Sequence, residues 1–137
     1  MSIMDTLITD RTQADVDARN DKGTYNASDL NRVGAAMNYV ADCLTSYGYA
    51  PQIAPKVDWT DQDWPTTQSM DRYLSDLAEL RRQISVLSST PEVPADMEKL
   101  TYIEANNIEK ILEDIDRLLN YSAQAWYYSG DLFAGEV

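Results

Sequence analysis

Between Asn26 and Gly48 the apolar residues Leu30, Val33, Met37, Val40, Leu44 and Tyr47 recur at spacings of three and four. An α-helix turns once in 3.6 residues, so this spacing sets all six on one stripe. A strand, whose sides alternate every second residue, would scatter them over both faces. The ends agree with a helix. Asn26 can cap it, Asp29 stands three residues on, and Tyr25 is placed to pack on Leu30 as a hydrophobic staple. Gly48 is a natural left-handed stop. A helix over 27–47 is predicted, with Gly34, Ala35 and Ala36 small enough to let a neighbouring helix come close.

Two further stripes follow. Met70, Tyr73, Leu77, Leu80, Ile84 and Leu87, widened by Leu74, predict a helix over 67–87 that begins at Thr66 or Thr67. Arg81 and Arg82 near its end suit the negative pole of the helix. Thr101 with Glu104 forms a capping box ahead of the longest helix, 102–127. Its seam is Ile108, Ile111, Ile115, Leu118, Ser122 and Ala125, widened by Leu112, Leu119 and Trp126. Glu109 and Lys110 fall off that seam and are expected in solvent. A short first helix over 13–20 is capped by Thr12 with Asp15 and ended by Lys22 and Gly23.

Pro51, Pro55 and Pro65 break the segment 49–65, and Pro91 and Pro94 break 88–100, so both read as extended connections. The tail 130–137 is too short for a helix of its own and is expected to lie extended, beside an equally extended 6–9. The fold class is therefore all-α: three long amphipathic helices in a bundle plus a short N-terminal helix, with extended N- and C-terminal segments packed against it. Residues 1–137 make a single domain.

The chain has 137 residues, enough to bury a core without metal or disulfide help. Its apolar runs are too short for a transmembrane helix, and MSIMDTLITD has no basic start or secretory apolar stretch. Cys43 is the single cysteine and sits between Val40 and Leu44, as a small core residue would. A reducing cytoplasm is the expected place of synthesis. The net charge of -12 argues against direct contact with nucleic acid, which needs clustered Lys and Arg.

There is no histidine. That removes the commonest general base, the commonest transition-metal ligand and every Ser-His or Cys-His pair. No cofactor is expected, and no enzyme. Glu109, Glu113 and Asp116 share one side of the last helix, with Asp114 adjacent. Di-metal bundles pair such carboxylates with Glu-x-x-His steps, and here a solvated face is the expectation. Asp58, Asp61 and Asp63 invite a calcium reading, but the glycine and distal Glu of an EF-hand loop are missing. The expectation is a loop pinned by Trp59 and Trp64, its aspartates in water, and no metal.

Nine tyrosines against one phenylalanine favour rings with a polar edge, which suit interfaces and sugar-stacking surfaces. Tyr49, Trp59, Trp64, Trp126, Tyr127 and Tyr128 are the interface or ligand candidates, with Tyr47 beside them. The alternative is that these rings close one end of a small core.

LITDRTQADVD followed by YNASDLNRV, over residues 7–33, resembles a group of uncharacterised proteins encoded in prophages of gut Firmicutes, usually among structural and tail-module genes. The resemblance continues through VDWTDQDWPTTQSMDRYL, PADMEKLTYIEANNIEKIL and WYYSGDLFAGE, and so covers nearly the whole chain. Proteins of that group often carry a longer insertion between the first two motifs, compressed here to 18–24. The resemblance implies a virion- or tail-associated structural protein and no catalytic residues. Physically, the shared motifs are caps, a staple and core seams. Asn31, Arg32, Asn106 and Asn107 are left over, and Arg32 is expected to pair with Asp29 or with a carboxylate of the last helix.

Three functions remain as expectations. The first is a non-enzymatic phage-related structural or interaction component of a tail or baseplate, with protein partners and self-association. The second is a glycan-binding module using exposed Trp and Tyr. The third is an acidic inhibitor mimicking nucleic acid, weakened by Arg81, Arg82, Lys99, Lys110 and Arg117 among the acids.

Overall fold

Every helix begins where a side chain replaces the hydrogen bond that a missing turn would have made. A computed structural model describes the backbone of residues 2–135 and the side chains of 2–20 and 22–121. Thr12, Asn26 and Thr66 each cap a helix in a reciprocal box, opening α1 (Gln13–Ala18), α2 (Ala27–Ser46) and α3 (Thr67–Gln83). Thr101 and Glu104 do the same for α4 (Tyr102–Gly135): the Glu104 amide donates to Thr101 Oγ1 at 3.1 Å and the Thr101 amide to Glu104 at 3.2 Å. Asp29 also completes the box at Asn26. Ser2 opens a 3-10 turn, Ile3–Thr6, in the same manner.

The ends differ from the expectations in three places. The first helix stops at Ala18, because Arg19 turns left-handed (φ 52°), and a second 3-10 turn, Asp21–Gly23, follows. The third stops at Gln83 rather than 87: Ile84 is already extended, and Leu87 is 56% exposed. The apolar residues 84–87 fit two periods. Ile84 and Val86, two apart, pack on the core from extended chain, as a strand-like step allows. The tail expected to lie extended instead continues α4 to Gly135. Extending an existing helix needs no new nucleus, and a glycine such as Gly130 inside it costs only about 1 kcal/mol. Residues 136–137 lie outside the described residues.

The three long helices pack as a bundle with α2 against both others. Val33, Met37, Val40 and Leu44 of α2, Tyr73, Leu74, Leu77 and Leu80 of α3, and Ile108, Ile111, Leu112, Ile115 and Leu119 of α4 make the core. Leu30 and Met70 extend it as expected, while Tyr47 is exposed. Gly48 does take the left-handed conformation (φ 95°) just past α2. Among the described residues, no helix is long and apolar enough to cross a membrane.

Gly34 is small for a reason other than helix packing. A Cβ there would lie 3.0 Å from the Lys56 carbonyl oxygen and 3.2 Å from a Val57 methyl. The extended connection after α2, not a helix, crosses α2 at this point. Two non-helical straps thus cover the bundle: residues 7–12 on α2 and α4, and residues 51–65 on α2 and α3.

Candidate functional site

The N-terminal strap is held by charges that the sequence pattern hides. Glu109 is completely buried. Its Oε1 accepts the Ile8 backbone amide at 2.8 Å and Arg32 Nη1; its Oε2 accepts Arg11 Nη2 at 2.6 Å and Arg32 Nη2 at 3.3 Å. Arg32 also reaches Asp29 at 2.8 Å and the Thr6 carbonyl at 3.0 Å. Arg11, 4% exposed, donates further to the carbonyls of Ile8 and Lys22 and lies over the Tyr25 ring. Two arginines and two carboxylates cancel, so the cluster buries no net charge. Burial alone would pull the Arg32 guanidinium down; the bonds to Glu109 and Asp29 reverse this and hold it well above its ordinary value.

This corrects the expectation for α4. Glu109 is not on a solvated face, Asp114 is 6% exposed, and Asp116 and Glu113 are half-buried. Asp114 accepts Thr90 Oγ1 at 2.8 Å and pairs with Lys110, fixing the connection after α3 onto α4. Arg81 reaches the carbonyls of Pro91 and Thr90, and so anchors that connection too. A continuous acidic stripe for mimicking nucleic acid is therefore broken on this helix. The pairing expected for Arg32 is present with both Asp29 and the last helix.

Asparagines do the rest. Asn106 Oδ1 accepts the Arg11 amide at 2.9 Å while its Nδ2 donates to the Arg11 carbonyl at 3.0 Å. Asn31 does the same for Trp59: its Oδ1 accepts the Trp59 amide at 2.7 Å and its Nδ2 donates to the Trp59 carbonyl at 2.8 Å. Both are side-chain amides imitating a neighbouring strand. Asn31, Arg32 and Asn106, which no cap explained, are thus strap holders. Tyr25 turns into the core, where its hydroxyl bonds that of Tyr73, and burial pushes both phenols up.

The aromatic candidates part company. Trp59 is nine-tenths buried and belongs to the core. Lys56 lies over its ring and pairs with Asp58 at 2.9 Å, and Asp63 is 3.9 Å from the same ammonium, so this loop supplies its own cation. Trp64 is 88% exposed, contrary to the expectation that it pins the loop. It stands before Pro65, which disfavours the helical conformation there, and two residues ahead of the Thr66 cap, clear of the stripe that α3 turns inward. Tyr49 and Tyr47 are exposed. Trp126, Tyr127 and Tyr128 fall within the span of α4, but their side chains lie outside the described residues. Cys43 is half-buried against the core, and burial pushes its thiol up, away from reactivity.

A groove of about 690 Å³ runs between Pro65 and the start of α3 on one side and residues 95–100 on the other. Leu30, Met70, Met97 and Leu100 form its apolar part, and Asp71, Asp96 and Glu98 its acidic rim. Among the described residues, no group of three or more His, Cys, Asp or Glu side chains could hold a metal ion.

The fold and these surfaces define a helical bundle with two strapped faces and an open, acidic-rimmed groove. No protein-family model, curated protein or solved structure matches the chain.

Proposed function

We propose that the protein is a non-enzymatic interaction component, in the setting its motifs resemble: a phage particle, as part of the tail or baseplate. The observation that carries the reading is Trp64, an indole left 88% in water on a chain that buries its other described tryptophan. Tryptophan is the side chain most enriched at the energetic centres of protein interfaces. The buried polar groups favour the same reading. Glu109, Arg11, Arg32 and Asp29 are saturated with each other and with backbone, so they serve the fold rather than a substrate. Virion association follows as the expected location.

The test is co-purification of the tagged chain with the products of its neighbouring genes, for the wild type and Trp64→Ala. The expected result is capture of a tail or baseplate subunit that is lost in Trp64→Ala while the melting temperature stays put. Absence of any captured neighbour, or capture that ignores Trp64, contradicts it.

Glycan recognition is the second reading, and the same exposed indole favours it. The buried Trp59 offers no face to a sugar, so among the described tryptophans binding would rest on Trp64. A glycan array without signal removes it.

A further inference from the structure

We propose that the groove between the start of α3 and residues 95–100 is the docking site for a partner polypeptide segment carrying apolar side chains flanked by Lys or Arg. The inference rests on the interaction reading above and names the chemistry of the partner. The groove has a volume of about 690 Å³, the size of cavities that bury a drug-sized ligand. That is room for a few side chains rather than for a flat contact.

Its floor selects the apolar part of the partner. Leu30 is nearly buried at the bottom, and Met70, Met97 and Leu100 are only partly covered by the chain's own core. Unbranched thioethers adjust to the shape of an incoming side chain at small cost, as in other surfaces that take varied apolar segments. Tyr25 also lines the groove, its hydroxyl bonded to that of Tyr73.

The rim selects the charge. Asp71, Asp96 and Glu98 border the groove, and among the described residues no Lys or Arg does. One oxygen of Asp96 accepts the Glu98 amide at 3.0 Å, which sets the carboxylate at the edge. Against a chain of net charge -12, an acidic partner would meet repulsion both at the rim and at long range, and a neutral one would leave the rim unanswered. A basic-flanked apolar segment answers both floor and rim. Pro65, which lines the groove, directly follows the exposed Trp64 in the chain.

The experiment uses the full chain, labelled at its methionine methyl groups. It is titrated with a twelve-residue peptide of Leu-Leu-Lys-Lys repeats and with the same peptide bearing Glu for Lys. The Met70 and Met97 signals should shift with the basic peptide and not with the acidic one. Neutralising the rim in Asp71→Asn/Asp96→Asn/Glu98→Gln should weaken binding about tenfold. The control Asp17→Asn/Asp42→Asn/Asp61→Asn, which removes equal charge elsewhere on the surface, should change it less than about twofold. Equal losses in the two triple variants, or unmoved Met70 and Met97 signals, overturn the site. Co-purification separates this failure from failure of the interaction reading. A partner still captured at full strength by the rim-neutralised variant, but lost in Trp64→Ala, sinks the groove and leaves the interaction standing.

Discussion

The two straps solve one problem with different chemistry. Each is extended chain lying on helices that cannot offer it a partner strand, so each needs hydrogen bonds from side chains. Asn106 and Asn31 supply the same two-way amide bridge, to Arg11 and to Trp59. Beyond that the straps diverge. The N-terminal one adds two arginines and two carboxylates out of water; the second adds an indole packed into the core. A neutral amide clamp plus apolar burial stabilises through area removed from water. A buried ion cluster contributes little net stability, because desolvation offsets most of the Coulomb gain, yet it is severe when broken. The charged strap is therefore set in one register by penalty, and the second is held there by attraction.

Deleting one partner of the cluster should expose that difference most strongly. Glu109→Ala leaves Arg11 and Arg32 without their shared acceptor and is expected to cost about 3–5 kcal/mol in urea unfolding. Arg32→Ala should cost less, since Glu109 would still accept from Arg11 and the Ile8 amide. A Glu109→Ala loss under about 1 kcal/mol would erase the distinction between the straps.

The amide clamps should come next, and should match each other. Asn106→Ala and Asn31→Ala each strand one backbone donor and one acceptor, at about 1–3 kcal/mol apiece. A much larger loss at Asn106 would show that it cannot be separated from the charges beside it.

Asp76, on α3 beneath the second strap, faces the Ala54 amide of that strap and gives the smallest effect. Burial pushes its carboxyl above the ordinary range, against the pull of the Arg72 charge and the Ala54 amide. A carboxyl raised in the folded state takes its proton before the unfolded chain does. Its contribution therefore improves as pH falls through the folded value, and levels off below the unfolded one. Asp76→Asn has no such proton to gain. The stability of the wild type relative to Asp76→Asn should rise on going from pH 7 toward pH 4, as followed by chemical unfolding. A difference that stays constant would mean that Asp76 titrates normally.

The residues on which the comparison rests were unequally visible in the sequence. Caps follow a local rule, so Thr12, Asn26 and Thr101 with their acidic partners were readable and are present. The three stripes were readable because burial repeats with the helical period. Glu109 was not, since a carboxylate beside a seam reads as solvated until its partners are known, and those partners are about 77 and 98 residues away along the chain. One signal was present: Ala105 and Leu112, four before and three after it, are buried on the same row. Asn31 and Gly34 likewise share a row, and that row lies under the second strap. The end of the third helix failed for a different reason, because apolar residues at 84–87 satisfy a helix and an extended chain alike.

Native-state hydrogen exchange at Ile8, Arg11 and Trp59 tests the account most directly. None of these amides lies in a helix, and each donates to a side chain: Glu109, Asn106 and Asn31 respectively. If the straps are held as described, all three should exchange far more slowly than unstructured amides. Ile8 should lose its protection in Glu109→Ala while Trp59 keeps more of its own. Exchange of Ile8 and Arg11 at unstructured rates in the wild type would contradict the claim that buried polar side chains hold the strap.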